Sequence, residues 1–167
     1  MDPDAQAIRA FLARKSLADT RQRGAVASLL KLTETDVLAM QHLAWAGALT
    51  PSRLAAQLRL TSGGTTALVQ RLERLSYVSR EPHPEDRRST LVRLSPAGER
   101  EAAELYAPLV GELDAAAESL GEDERAVVAG YLARVAELAE AHADELVRSA
   151  DLERPQLPSV PVPGLWA

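Results

Sequence analysis

Apolar side chains at Ile8, Phe11, Leu12 and Val26 recur between arginines and a lysine and predict a helix from residue 4 to about 29, weakened near its end by Gly24. Thr33, with Asp36 three residues on, is the start signal of a second helix. Its apolar positions are Val37, Leu38, Met40, Leu43 and Ala44, and it stops near Gly47. Thr50-Pro51 restarts the chain, because threonine caps and proline loses nothing in the first helical turn. Leu54 and Leu58 then share a face, which makes 51–58 a short helix. After the link 59–61, either Thr61 or Ser62 caps a further helix to about Leu75, with an apolar stripe of Leu68, Val69, Leu72 and Leu75. Two short helices joined by about three residues make a helix-turn-helix.

The period then changes. Tyr77 to Glu81 has strand character, and Thr90 to Leu94 alternates as a return strand. Pro82 to Arg88 between them is a polar loop with two prolines, so the pair predicts a hairpin with a long tip, a wing. Ser95-Pro96 repeats the cap-plus-proline start of a long helix, whose stripe runs through Ala102, Leu105, Tyr106, Leu109, Leu113, Ala116 and Leu120. Pro108 sits inside that stripe and is expected to kink the helix, since the period continues across it. A last helix starts at Gly121-Glu122-Asp123-Glu124, with acids at its positive end, and carries Val127, Val128, Tyr131, Leu132, Val135, Leu138 and Leu146. The expected fold is mainly α with a small β-hairpin wing, organised as an N-terminal dimerisation helix (1–31), a winged helix-turn-helix (32–95), C-terminal dimerisation helices (96–150) and a proline-rich tail (151–167).

Composition narrows the function. Of 167 residues, 46% are hydrophobic but only 4% aromatic, a thin core that a second subunit would help to complete. Cysteine is absent, which excludes disulfides and thiol chemistry. No apolar run is long enough to span a membrane, and the acidic start Met1-Asp2-Pro3-Asp4 does not suit a signal peptide, so a cytoplasmic location is expected. The net charge of −5 argues against nucleic acid, yet residues 51–100 hold nine arginines against five acids, whereas 101–150 hold three against twelve. Electrostatic footprints are local, so the basic third of the chain is what matters.

These segments resemble the MarR (multiple antibiotic resistance regulator) family of winged-helix repressors. The resemblance rests on "LTETDVLAMQHL", "LTPSRLAAQLRLTSGGTTALVQRLERLSYV" and "SREPHPEDRRSTLVRLSPAG", most of all on Asp86-Arg87-Arg88 followed by Leu-Ser-Pro-Ala-Gly at 94–98. It implies a homodimer, paired through its first and last two helices, that binds double-stranded DNA at a pseudo-palindromic operator. It also implies a small aromatic or phenolic effector, for which Phe11, Met40, Trp45 and Tyr106 are candidate lining residues, with plain core packing as the alternative.

A recognition helix enters the major groove with its N-terminal half, so Ser62, Thr65, Thr66, Gln70 and Arg71 are the candidate DNA contacts. Thr65 stands where relatives are usually apolar, which leaves both a groove-facing and a core-facing position open. Gly63, Gly64 and Ala67 offer no hydrogen-bonding side chain, a departure from relatives with larger polar groups there. Ser76 stands where relatives often end the helix on glycine, at a cost of up to about 1 kcal/mol. In the wing, His83, Arg87 and Arg88 are candidates; one arginine is expected in the minor groove and the other paired with Asp86. Arg53 and Arg74 are phosphate candidates or ordinary solvated arginines. His42, His83 and His142 lie outside helical reach of one another, so no metal site is expected, and neither a cofactor motif nor a nucleophile–base arrangement points to an enzyme. The competing function is a winged-helix module that binds protein without binding DNA.

Overall fold

The computed structural model describes residues 2–86 and 88–151. In chain order these form α1 (Pro3–Leu30), α2 (Glu34–Ala46), α3 (Pro51–Leu58), α4 (Ser62–Arg74), β1 (Val78–Pro82), β2 (Thr90–Leu94), α5 (Pro96–Glu118) and α6 (Glu122–Asp151). Contact density divides the chain into two units, residues up to Pro108 and residues from Leu109.

Helix starts follow side-chain chemistry. Thr33 Oγ1 accepts from Asp36 N at 3.1 Å while Asp36 Oδ2 accepts from Thr33 N at 3.0 Å, a reciprocal capping box. Thr50 Oγ1 accepts from Arg53 N at 3.2 Å and Thr61 Oγ1 from Gly64 N at 3.1 Å, so Thr61 rather than Ser62 caps α4. Helix ends are less expected. Lys31, Arg59 and Ser76 all take the left-handed conformation, with φ of 55°, 53° and 63°. Each lets the next amide reach back into the helix: Leu32 N donates to Ala27 O, Leu60 N to Ala55 O and Tyr77 N to Leu72 O, at 2.9, 3.0 and 2.9 Å. A side chain in this conformation is disfavoured relative to glycine. Ser76→Gly is therefore expected to stabilise the fold by about 0.5–1 kcal/mol, read as a rise in the urea midpoint at unchanged slope.

In the first unit α2, α3, α4 and the hairpin close around Ala39, Met40, Leu43, Leu49, Leu54, Leu68, Val69, Leu72, Val78, Val92 and Leu94. A fully buried leucine such as Leu54 or Leu72 contributes about 1.5–3 kcal/mol. The strands pair antiparallel from Val78 opposite Leu94 to Pro82 opposite Thr90, so β1 takes in Pro82, which the sequence places in the loop. Leu49 adds a third short rung, exchanging backbone hydrogen bonds with Val92 at 2.9 and 2.8 Å. A smaller cluster of Val26, Ala27 and Val37 joins α1 to α2 and to Leu105 and Tyr106 of α5. Leu38 is half-buried, and Ala44 and Leu75 are exposed, so the apolar stripes of α2 and α4 are narrower than the pattern suggests.

The start of α5 is fastened to the base of the wing. Ser95 Oγ accepts from Gly98 N at 3.0 Å and donates to the Ser76 carbonyl, and Ser95 N donates to Tyr77 O at 3.0 Å. Gly98 lies so close to the Tyr77 carbonyl that an added Cβ would fall on it. α5 continues through Pro108. In the second unit Gly121 N donates to Glu124 Oε2 at 2.8 Å at the start of α6. Leu109, Val110 and Leu113 on α5 and Val127, Val128, Tyr131, Leu132, Leu138 and Leu146 on α6 are all exposed.

Candidate nucleic-acid interface

Ser62, Thr66, Gln70 and Arg74 are exposed along one side of α4. Thr66 Oγ1 donates to Ser62 O at 2.9 Å, which leaves an oxygen lone pair facing outward. The flanking cations are Arg53 on α3 and Arg88 in the wing, both exposed. Arg53, Arg74 and Arg88 have no acidic partner among the described residues, whereas Arg80 pairs with Glu73 at 3.1 Å and Arg93 with Glu81 at 3.3 Å. Arg87 lies outside the described residues.

Two candidates from the sequence face inward instead. Thr65 is 1% exposed, and its hydroxyl donates to Thr61 O at 3.0 Å, so it is a core residue whose polar atom is satisfied within α4. Arg71 turns to α2, where its Nε donates to Asp36 Oδ2 at 3.1 Å and its Nη2 to Asp36 Oδ1 at 2.5 Å. Asp36 is 0% exposed and also accepts from the hydroxyl of Thr33 at 2.8 Å. Burial by itself would raise the Asp36 carboxyl, but the Arg71 hydrogen bond, the two from Thr33 and the guanidinium charge outweigh it and hold the group below the ordinary aspartate value. The same hydrogen bond pushes Arg71 further up. Arg71 therefore ties α4 to α2.

In the wing tip, Asp86 Oδ1 accepts from the Arg88 backbone N at 2.9 Å, while the Arg88 guanidinium has no acidic partner among the described residues. His83 is half-buried, with Nδ1 accepting from the backbone N of Glu85 and of Asp86, each at 3.2 Å.

Within the first unit, α1, α2 and α5 surround a cavity of about 360 Å³. Met40, Trp45 and Tyr106 line it, with Val26, Leu30, Val37, Ala44 and Leu105. Phe11 does not: it is 65% exposed on α1, and the α1 wall is built further along the helix by Val26 and Leu30. Trp45 stands at the rim, 93% exposed. The sequence reading missed Gln41, the polar lining group. Its Nε2 donates to Tyr106 Oη at 2.9 Å and its Oε1 accepts from Arg23 Nε at 3.1 Å. A glutamine between Met40 and the apolar Leu43–Ala44 pair was the signal available. Among the described residues no group of three His, Asp or Glu side chains is placed to hold a metal ion, and no helix is long and apolar enough to cross a membrane.

The sequence profile of the MarR family matches residues 32–90, the span from the start of α2 to the return strand of the wing. The HTH-type transcriptional regulator YcgE of Bacillus subtilis (strain 168) is 30% identical over 122 residues, which cover 73% of this chain and 79% of YcgE. Among solved structures, the transcriptional regulator Tm0710 from Thermotoga maritima superposes with a TM-score of 0.58 at 21% identity, covering 83% of this chain and 98% of Tm0710. NadR, solved in complex with 4-hydroxyphenylacetate, superposes with a TM-score of 0.56 at 25% identity, covering 77% of this chain and 92% of NadR. The order of elements, a helix pair followed by a β-hairpin and a long capped helix, and these relatives agree: the chain belongs to the MarR family, whose members are DNA-binding transcriptional regulators and not enzymes.

Proposed function

We propose that two copies of the chain pair through α1, α5 and α6, occupy a pseudo-palindromic operator in the cytoplasm and so repress transcription, and that a small aromatic or phenolic effector releases the DNA. The observation that carries the DNA part is the exposed row Ser62, Thr66, Gln70 and Arg74, together with exposed Arg53 and Arg88, which have no acidic partner among the described residues. Pairing is supported by the apolar residues left exposed on α5 and α6, since exposed stripes of that size mark interfaces. In this reading 1–31 and 96–150 dimerise, 32–95 binds DNA and 151–167 is a tail. Two recognition helices would then lie about 34 Å apart, one helical turn of DNA.

The effector reading is supported by the apolar cavity, whose polar groups are the linked Gln41 amide and Tyr106 hydroxyl, and by the phenolic ligand that NadR holds. A ligand there would favour a dimer geometry with the wrong half-site spacing and shift the population off DNA.

Selection of bound duplexes from a random library tests the proposal. An inverted repeat is expected. Replacing Arg87 and Arg88 together by alanine should then weaken binding about 10–100-fold and reduce the salt slope by about two. Failure to retain any duplex at low salt, with the protein folded, would point instead to the protein-binding module.

A further inference from the structure

The tip of the wing has little backbone ladder of its own. Its described amides are satisfied as follows: His83 N donates to Ser89 O at 3.2 Å, Ser89 N to Asp86 O at 2.9 Å and Arg88 N to Asp86 Oδ1 at 2.9 Å. Glu85 N and Asp86 N both donate to one atom, His83 Nδ1, each at 3.2 Å. Pro84 has no amide hydrogen. Two side chains, His83 and Asp86, thus hold the backbone amides of Glu85, Asp86 and Arg88.

A ring nitrogen accepts only when it bears no proton, and in imidazolium both nitrogens are donors. Two backbone N–H groups converging on Nδ1 therefore select the neutral ring with its proton on Nε2. Protonation would set a third N–H against those two and remove the acceptor from the turn. We infer that His83 is a positioning residue for DNA binding: as the neutral imidazole it folds the wing tip and presents Arg88, and in acid it lets the tip open. This rests on the reading that the wing touches DNA. Among the described residues, the charged groups of the tip and hairpin are Glu85, Asp86 and Arg88 on the tip, the Glu81–Arg93 pair across the two strands, and Arg80, which is taken up by Glu73 of α4. His42, on α2, is held low by burial and then by Arg23, and its protonation belongs to more acid conditions.

The direction separates this from general electrostatics. Acidification makes the chain more cationic and by itself tightens DNA binding. Opening of the tip weakens it. Affinity for one fixed duplex should therefore fall by about tenfold from pH 7.5 to pH 5.5, beyond any change in the control.

The control is His83→Asn, whose side-chain oxygen occupies nearly the place of Nδ1, accepts the same amides and does not titrate. It should bind as the wild type does at pH 7.5 and lose the acid-dependent fall. His83→Ala should be weak at both pH values. An acid response of the same size in His83→Asn, or full affinity in His83→Ala, would overturn the inference. A second measurement needs no DNA. In the full chain, nitrogen-15 shifts of the His83 ring at pH 7.5 should show the proton on Nε2, with the Glu85 and Asp86 amides losing exchange protection as the ring titrates. A proton on Nδ1 would overturn the inference even if no duplex were bound. Absence of DNA binding by the wild type, with the ring as expected, would instead count against the DNA reading alone.

Discussion

Arg71→Ala is expected to cost the fold about 3–5 kcal/mol, although Arg71 lies on α4, the helix proposed to read DNA. The reason is the partner left behind. The Arg71 side chain is 39% exposed and would be missed little for its own burial, but Asp36 is wholly buried and would keep only its Thr33 bonds. Removing one member of such a pair leaves a charge that burial penalises and nothing opposite it offsets. The pH dependence has a definite sign. In the wild type the Asp36 carboxyl lies below its unfolded value, so its contribution is complete above the ordinary aspartate range and is lost as pH falls through the lowered folded value. Without Arg71, burial becomes the dominant influence and the carboxyl takes up a proton more readily. The gap between wild type and variant should therefore be largest near pH 7 and narrow towards pH 4. Urea unfolding at the two pH values reads both effects. A loss below about 1 kcal/mol at pH 7 would show that the pair does not hold α4 against α2.

Gly98→Ala should cost about 2–3 kcal/mol, the usual scale of overpacking against a part that cannot yield. The obstacle is the backbone carbonyl of Tyr77, not the end of a flexible side chain, so relief requires lifting the first turn of α5 from the base of the wing. That movement would also strain the Ser95 hydrogen bonds to Ser76, Tyr77 and Gly98. The variant should melt several degrees lower. Its remaining folded fraction should show faster hydrogen exchange at Tyr77 and Ser95, whose amides are otherwise bonded. Unchanged melting would mean that the close approach is not maintained in solution.

Local chemistry made much of the fold readable. Thr50-Pro51 with Leu54 and Leu58 marked α3 at its observed limits, and alternation marked β2. These signals work because a cap or an alternating face acts over a few residues. What escaped was long-range or single. Leu49 is one residue with no alternation to announce it, and it becomes a strand rung only because Val92 lies opposite. Arg71 reads as part of a polar face; its partner is 35 residues away, and a capping aspartate gives no local hint that it is also fully buried. Thr65 misleads in the same way, because its hydroxyl is satisfied inside the helix. Lys31 and Arg59 end helices in the left-handed conformation with side chains that carry no local signal for it. In the cavity, aromatic character singled out Phe11, whereas the wall is made by aliphatic residues later on the same helix.

The wing is held firmly below its tip. Its stalk is clamped on one side by Leu49 and at its root by Ser95 and Gly98, so the two strands have little freedom to swing. On the proposed reading, a stalk held this way keeps its offset from α4, so the duplex must fit the protein's ruler rather than bend the wing to its own groove.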